Sequence, residues 1–214
     1  MAGTKERIVG VSAQMFRRQG YEGTGLKQIV AAAKAPFGSL YHFFPGGKEQ
    51  LGAEVIRVSG GEFARMGNAI LDAAPDIISG LRYLFDGAAQ TLRGTDYADA
   101  CPIATVALEV SSTSEPMRQA AAEVFEGWID DLQHRFVTAG IAADRSRQLA
   151  IATLSLLEGA FIFSRAMRTT QPVEIAGASA VDALEAAIRE SAAAREGKSS
   201  EPGRLPSQLP TDTR

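Results

Sequence analysis

The sequence predicts an all-α protein of about nine helices, with a small N-terminal unit followed by a larger helical body. Three observations lead there. Hydrophobic residues make up 45% of the 214 and recur at helical spacing nearly throughout. Alternating β-branched runs are scarce, and turn and capping residues fall where helices of ordinary length would begin and end. A chain of this size can bury a full core.

The elements follow in order. Thr4 is placed to cap a first helix whose Ile8, Val11, Ser12, Met15 and Phe16 share a face, and Gly20 ends it. Thr24 is placed to cap a short second helix with Leu26, Ile29, Val30 and Ala33 inward. A third begins near Pro36, a residue suited to a first turn, and carries Leu40 and Tyr41. Pro45-Gly46-Gly47 breaks the chain before a fourth helix with Leu51, Val55 and Ile56, and beyond Gly60-Gly61 the helices lengthen. Pro75 opens a stretch from Ile77 to Leu92 closed by Gly94, and Pro102 opens a short apolar helix from Ile103 to Val110. Ser114 caps a long helix bearing Trp128 and Phe136 that ends at Gly140. Asp144 opens a helix to about Arg168, and a last helix carries Val181, Leu184 and Ile188. The expected domains are 1–48, 49–196 and a tail, 197–214, whose Pro, Ser and charge offer no apolar period to offset ordering entropy.

The net charge of -3 hides an asymmetry: residues 1–60 carry eight Lys/Arg against four acids, whereas the remainder carries 14 against 21. A basic N-terminal module on an acidic body suits phosphate contact at one end. A single cysteine, Cys101, fits a reducing compartment, and neither a signal peptide nor a membrane span is expected, so the expected location is the cytoplasm. The chain lacks GxGxxG, P-loop, HExxH and GxSxG patterns and has two histidines far apart, which argues against an enzyme and against any metal or cofactor site.

Two short helices joined by a turn, with a helix before them, form the helix-turn-helix arrangement that lays its last helix in the DNA major groove. That helix must show small or polar groups to base edges while its other face anchors in a core. Gly38 and Ser39 meet the first need, Leu40 and Phe44 the second. Thr24, Lys27, Gln28, Phe37, Tyr41, His42 and Lys48 complete the expected DNA-binding set, with Tyr41, His42, Thr24 and Lys48 within reach of phosphates.

Residues 7–51 resemble the DNA-binding domain of the TetR family through Arg7-Ile8, Met15-Phe16, Gly20-Tyr21, Thr24, Ile29, Gly38-Ser39-Leu40-Tyr41, Phe44-Pro45 and Lys48-Glu49-Gln50-Leu51. Cys101-Pro102-Ile103 with Leu108-Glu109, and Leu157-Glu158-Gly159-Ala160, are similar to the LmrA-like subgroup. The resemblance implies a homodimeric regulator, by the family's habit a repressor, released from a pseudopalindromic double-stranded operator by a small lipophilic or aromatic effector. Three positions depart from the pattern: Phe37 replaces a usual lysine, Phe43 a common histidine, and Lys34 a glycine that would close the second helix with left-handed backbone.

In the body, Phe63, Phe85, Cys101, Trp128 and Phe161 are the expected effector contacts, although aromatic stripes at helical spacing are as often plain core. Cys101 reads as a packed residue in preference to a redox sensor, and His134 as a solvated surface residue. The helix from Arg145 to Arg168 is apolar almost all round, so a second surface must cover it. A four-helix seam using Leu154, Glu158, Phe161, Ile162, Val181, Leu184 and Ile188 resembles the family's dimer interface. Two rival readings stay open: a helical small-molecule-binding protein or enzyme that has lost DNA binding, and a non-specific DNA-binding protein.

Overall fold

The computed structural model describes residues 3–99 and 101–199, with no side-chain account of 197–199. Nine helices and no strand occur among the described residues: α1 Thr4–Gln19, α2 Leu26–Ala32, α3 Phe37–Phe43, α4 Gly47–Ala73, α5 Ile77–Gly94, α6 Ala104–Val110, α7 Glu115–Thr138, α8 Ala143–Met167 and α9 Gln171–Ser199. Helix α9 therefore runs past the boundary expected at 196, and the rest of the expected tail, 200–214, lies outside the described residues.

The N-terminal unit closes over Ile8, Phe16, Ile29, Leu40, Phe44 and Leu51, all nearly fully buried. Gly20 ends α1 with φ 79°, and Lys34 takes the left-handed conformation, φ 50°, that the sequence pattern demands of it. Two expected caps are corrected. Thr4 lies inside α1, which Gly3 precedes without a side-chain bond. Thr24 is fully buried and donates its hydroxyl to Gly20 O at 2.7 Å, while α2 opens at Gly25, whose N–H reaches Gln28 Oε1 at 3.1 Å.

Gly60-Gly61 does not interrupt α4, a single helix of 27 residues that starts in the N-terminal unit and runs through the body. The reason is tertiary. A Cβ at Gly60 would overlap Val124 of α7, and Trp128 Nε1 donates to Gly60 O at 3.1 Å, so the glycine marks where two helix backbones approach. Elsewhere the caps are conventional. Asp76, not Pro75, caps α5 by accepting from Ser79 N at 2.8 Å, and Ser114 caps α7 through Met117 N.

In the body α4 packs on α7, α7 on α8, and α9 on both α5 and α8. Helix α8 divides its faces. Leu149, Leu157 and Phe161 are buried, whereas Ile151, Leu156, Ile162, Phe163 and Met167 are exposed, joined on α9 by Ile175. By length and composition alone α8 would also pass as a membrane span, a test that the core helix of a soluble protein meets as well, and 39% of its most apolar stretch is buried inside the subunit. Val181 and Leu184, expected at a seam between subunits, are buried in this one, because a close approach at Gly177 seats α9 on Phe85 of α5.

Candidate nucleic-acid interface and interior clefts

Helix α3 is short, and its anchor is Leu40, fully buried, with Phe44 just beyond its end. This fixes the opposite face outward, where Phe37, Gly38, Tyr41 and His42 are exposed and Ser39 is half-buried. Phe37 and Tyr41, one turn apart, pack as a tilted pair with ring centroids 5.8 Å apart and an interplanar angle of 60°. A Cβ on Gly38 would meet nothing in the subunit within 4 Å, and its φ is not left-handed, so neither packing nor backbone geometry requires glycine there. Lys27 and Gln28 lie on exposed α2, although Gln28 already closes the turn at Gly25. Lys48 lies over the ring of Tyr21 at 4.2 Å, and burial, then the charges of Glu22 and Glu49, push the Tyr21 phenol up to about 12. The burial of Thr24 removes it from this face.

Two of the clefts in the body meet at Phe161, which lines both. One, of about 440 Å³, lies between α4, α5 and α8 and is lined by Phe63, Leu84, Leu157 and Phe161; Trp128 packs on Phe63 at 5.0 Å beside it. Phe85 is buried against α9, away from this cleft. The other, of about 680 Å³, opens between α6 and α8 and is lined by Cys101, Ala104, Leu108, Glu158, Ile162 and Arg165 among others. Cys101 Sγ accepts from the N–H groups of Ile103 and Ala104 at 3.4 Å, which opens α6. Burial, then the charge of Glu158, pushes its thiol well above the ordinary range, so it is a packed thiol and not a reactive thiolate. Both Glu158 oxygens are buried and no donor reaches them at good hydrogen-bond geometry; burial raises this carboxyl to about 7, against a smaller lowering by the neighbouring Cys101 thiol. The expected seam residue Glu158 thus faces the cleft.

Two family models match, that of the bacterial regulatory proteins of the tetR family over residues 8–55 and that of the LmrA/YxaF-like transcriptional regulator C-terminal domain over 78–179. An uncharacterized HTH-type transcriptional regulator of Mycobacterium tuberculosis is 35% identical over 82% of this chain and 91% of its own length. The chain belongs to the TetR family of transcriptional regulators. LmrA of Bacillus subtilis, an HTH-type transcriptional regulator, is 30% identical over 79% of this chain and 90% of LmrA. A TetR transcriptional regulator of Legionella pneumophila superposes with a TM-score of 0.74 at 25% identity, over 84% of this chain and 96% of that one.

In this TetR-family regulator, sequence reasoning missed the groups that dock the helix-turn-helix unit on the body. Asp99 receives Arg17 at 3.1 Å and Arg18 at 3.3 Å. Glu109 of α6 accepts the N–H of Glu22 at 3.0 Å and lies against Gly20. Nothing in local periodicity signals these bonds, since their partners lie more than 80 residues apart.

Proposed function

We propose that this regulator acts as a cytoplasmic homodimer, a non-enzymatic repressor whose two α3 helices enter successive major grooves of a pseudopalindromic operator about 34–36 Å apart. The observation that carries this reading is the outward face of α3, where Phe37, Gly38, Ser39, Tyr41 and His42 stand opposite the anchored Leu40. Gly38 allows close approach to base edges, Tyr41, His42, Lys27 and Lys48 suit phosphates, and Phe37 suits a thymine methyl in place of the usual cation. The exposed apolar face of α8 and α9, with Ile162, Phe163, Met167 and Ile175, suits pairing with a second copy better than contact with lipid, because buried ionisable Glu158 lies midway along α8.

A small lipophilic or aromatic effector binding in the body releases the operator. It needs only about 1–3 kcal/mol of preference for the conformation with separated α3 helices. The test is an electrophoretic mobility shift on the DNA upstream of the regulator's own gene, with random DNA as competitor. Retention that random DNA does not compete away is expected; binding indifferent to sequence, or none at low salt, overturns the reading.

A further inference from the structure

The α6–α8 cleft holds a chemical contradiction. Its walls are largely apolar, formed by Ala104, Leu108, Phe161, Ile162 and Ala166, yet Glu158 presents two buried oxygens that no donor meets at good hydrogen-bond geometry, with the thiol of Cys101, a weak donor, beside them. Buried acceptors without donors are uncommon and mark a place where a partner is missing. The two arginines of the same cleft do not fill that role. Arg165 donates to the carbonyls of Tyr97 and Ala98 at 3.2 and 3.4 Å, and Arg168 is held by both oxygens of Asp96 at 2.7 Å. The remaining polar linings are Cys101, Thr105, Tyr97 and Glu109, and Glu109 already accepts from Glu22. The cleft, of about 680 Å³, therefore offers in Glu158 a carboxyl with no cationic partner and no donor stronger than the Cys101 thiol, set among apolar side chains.

We propose that this cleft is the effector site and takes a lipophilic amine, whose ammonium group sits on Glu158 while its apolar part fills the channel. The proposal rests on the reading of the body as effector-binding and names the site and ligand class. A desolvated ammonium–carboxylate pair satisfies both charges at once, whereas an anionic ligand would place a second negative charge against Glu158. The raised carboxyl of Glu158 agrees with this: it holds a proton in the empty cleft at mildly acid pH and gives that proton up when a cation arrives.

The cleft is linked to the DNA-binding unit through residues on its wall and beside it. Glu109 lines it and holds the turn between α1 and α2, and Asp99, two residues before Cys101, holds Arg17 and Arg18. A ligand that wedges α6 away from α8 therefore pulls on α1 through these bonds. Ile162 belongs both to the cleft rim and to the apolar face proposed for pairing, which places the site at the edge of the second copy.

The experiment is isothermal titration of the full chain with hexylammonium, octylammonium and 2-naphthylmethylammonium, each beside the alcohol of the same carbon skeleton. At least one amine should bind more tightly than its alcohol, with proton release at pH 6 seen by changing the buffer's ionisation enthalpy. Glu158→Gln should weaken that amine about thirtyfold or more while leaving its alcohol unchanged. Ala166→Trp, at an exposed rim position, should weaken amine and alcohol alike by obstructing the channel. No amine binding, equal affinity for amine and alcohol, or an amine affinity indifferent to Glu158→Gln overturns the proposal. Operator binding is measured separately, so a regulator that binds DNA and is released by some other ligand sinks this proposal alone, and one that binds amines but no operator sinks the operator reading alone.

Discussion

Glu109 Oε2 accepts the backbone N–H of Glu22 at 3.0 Å, so one α6 side chain both lines the α6–α8 cleft and holds the turn entering the helix-turn-helix unit. The bond is exposed, and its loss leaves the amide to water. Glu109→Ala is expected to cost less than about 1 kcal/mol globally. Amide hydrogen exchange at 20–25 should rise roughly fivefold against the rest of the domain; unchanged exchange there would show that the bond does not restrain the turn.

Gly38→Ala separates stability from DNA contact. The new methyl meets nothing in the subunit, so folding should be unchanged or stabilised by up to about 1 kcal/mol. Operator affinity should nonetheless fall about tenfold or more as the methyl holds the helix from base edges. Denaturation and mobility-shift titration on one preparation check both signs, and unaltered operator affinity would remove Gly38 from the interface.

Thr24 acts through the fold. Its buried hydroxyl bonds Gly20 O at 2.7 Å, and Thr24→Val leaves that carbonyl without this donor. A loss of about 1–3 kcal/mol is expected, restored in part by Thr24→Ser. The slope of operator affinity against salt should not move, since no phosphate contact is lost; a shallower slope would return Thr24 to the DNA face.

Glu158 gives the apo protein a defined pH dependence. Burial raises its carboxyl from 4.5 to about 7, so the folded chain keeps a proton that the unfolded chain has lost. Its burial carries no ionic cost below pH 4.5; stability falls as pH rises from there to about 7, by an amount on the order of 3 kcal/mol. Thermal denaturation across pH 5–8 should show Glu158→Gln flattening that decline; parallel profiles for the two proteins would refute it.

Phe163→Asp places a charge on the exposed apolar face of α8 while leaving the subunit core untouched, as Phe163 is 62% exposed. Light scattering should show a monomer with a native helical spectrum, and operator affinity should collapse because two half-sites are no longer bound together. A persistent dimer would put the pairing surface elsewhere.

Much of the fold was legible because helix ends are local. Gly20, Lys34 and Gly140 end their helices through backbone geometry and Ser114 caps α7 with its hydroxyl, all within a few residues, and each stands where the pattern placed it. Gly60-Gly61 misled for the opposite reason, since Gly60 serves a neighbouring helix, at Val124 and Trp128, and not a turn. Val181 and Leu184 were placed between subunits because an apolar stripe records that it is covered and not by what; α5 and α8 of the same subunit cover α9. Within the site, Glu158 was expected at a seam between subunits, because its place on an apolar helix does not tell which surface it faces.

The sequence alone determined the all-α class, the helix-turn-helix unit and the family, because these rest on periodicity, caps and residue identity over short spans. Tertiary structure alone decided that Thr24 is sealed in the core, that Glu158 faces a cleft beside the Cys101 thiol with no cationic partner, and that Glu109 and Asp99 join this cleft to α1. Burial and charge pairing between residues far apart are properties of packing, and a linear pattern carries no distance between them.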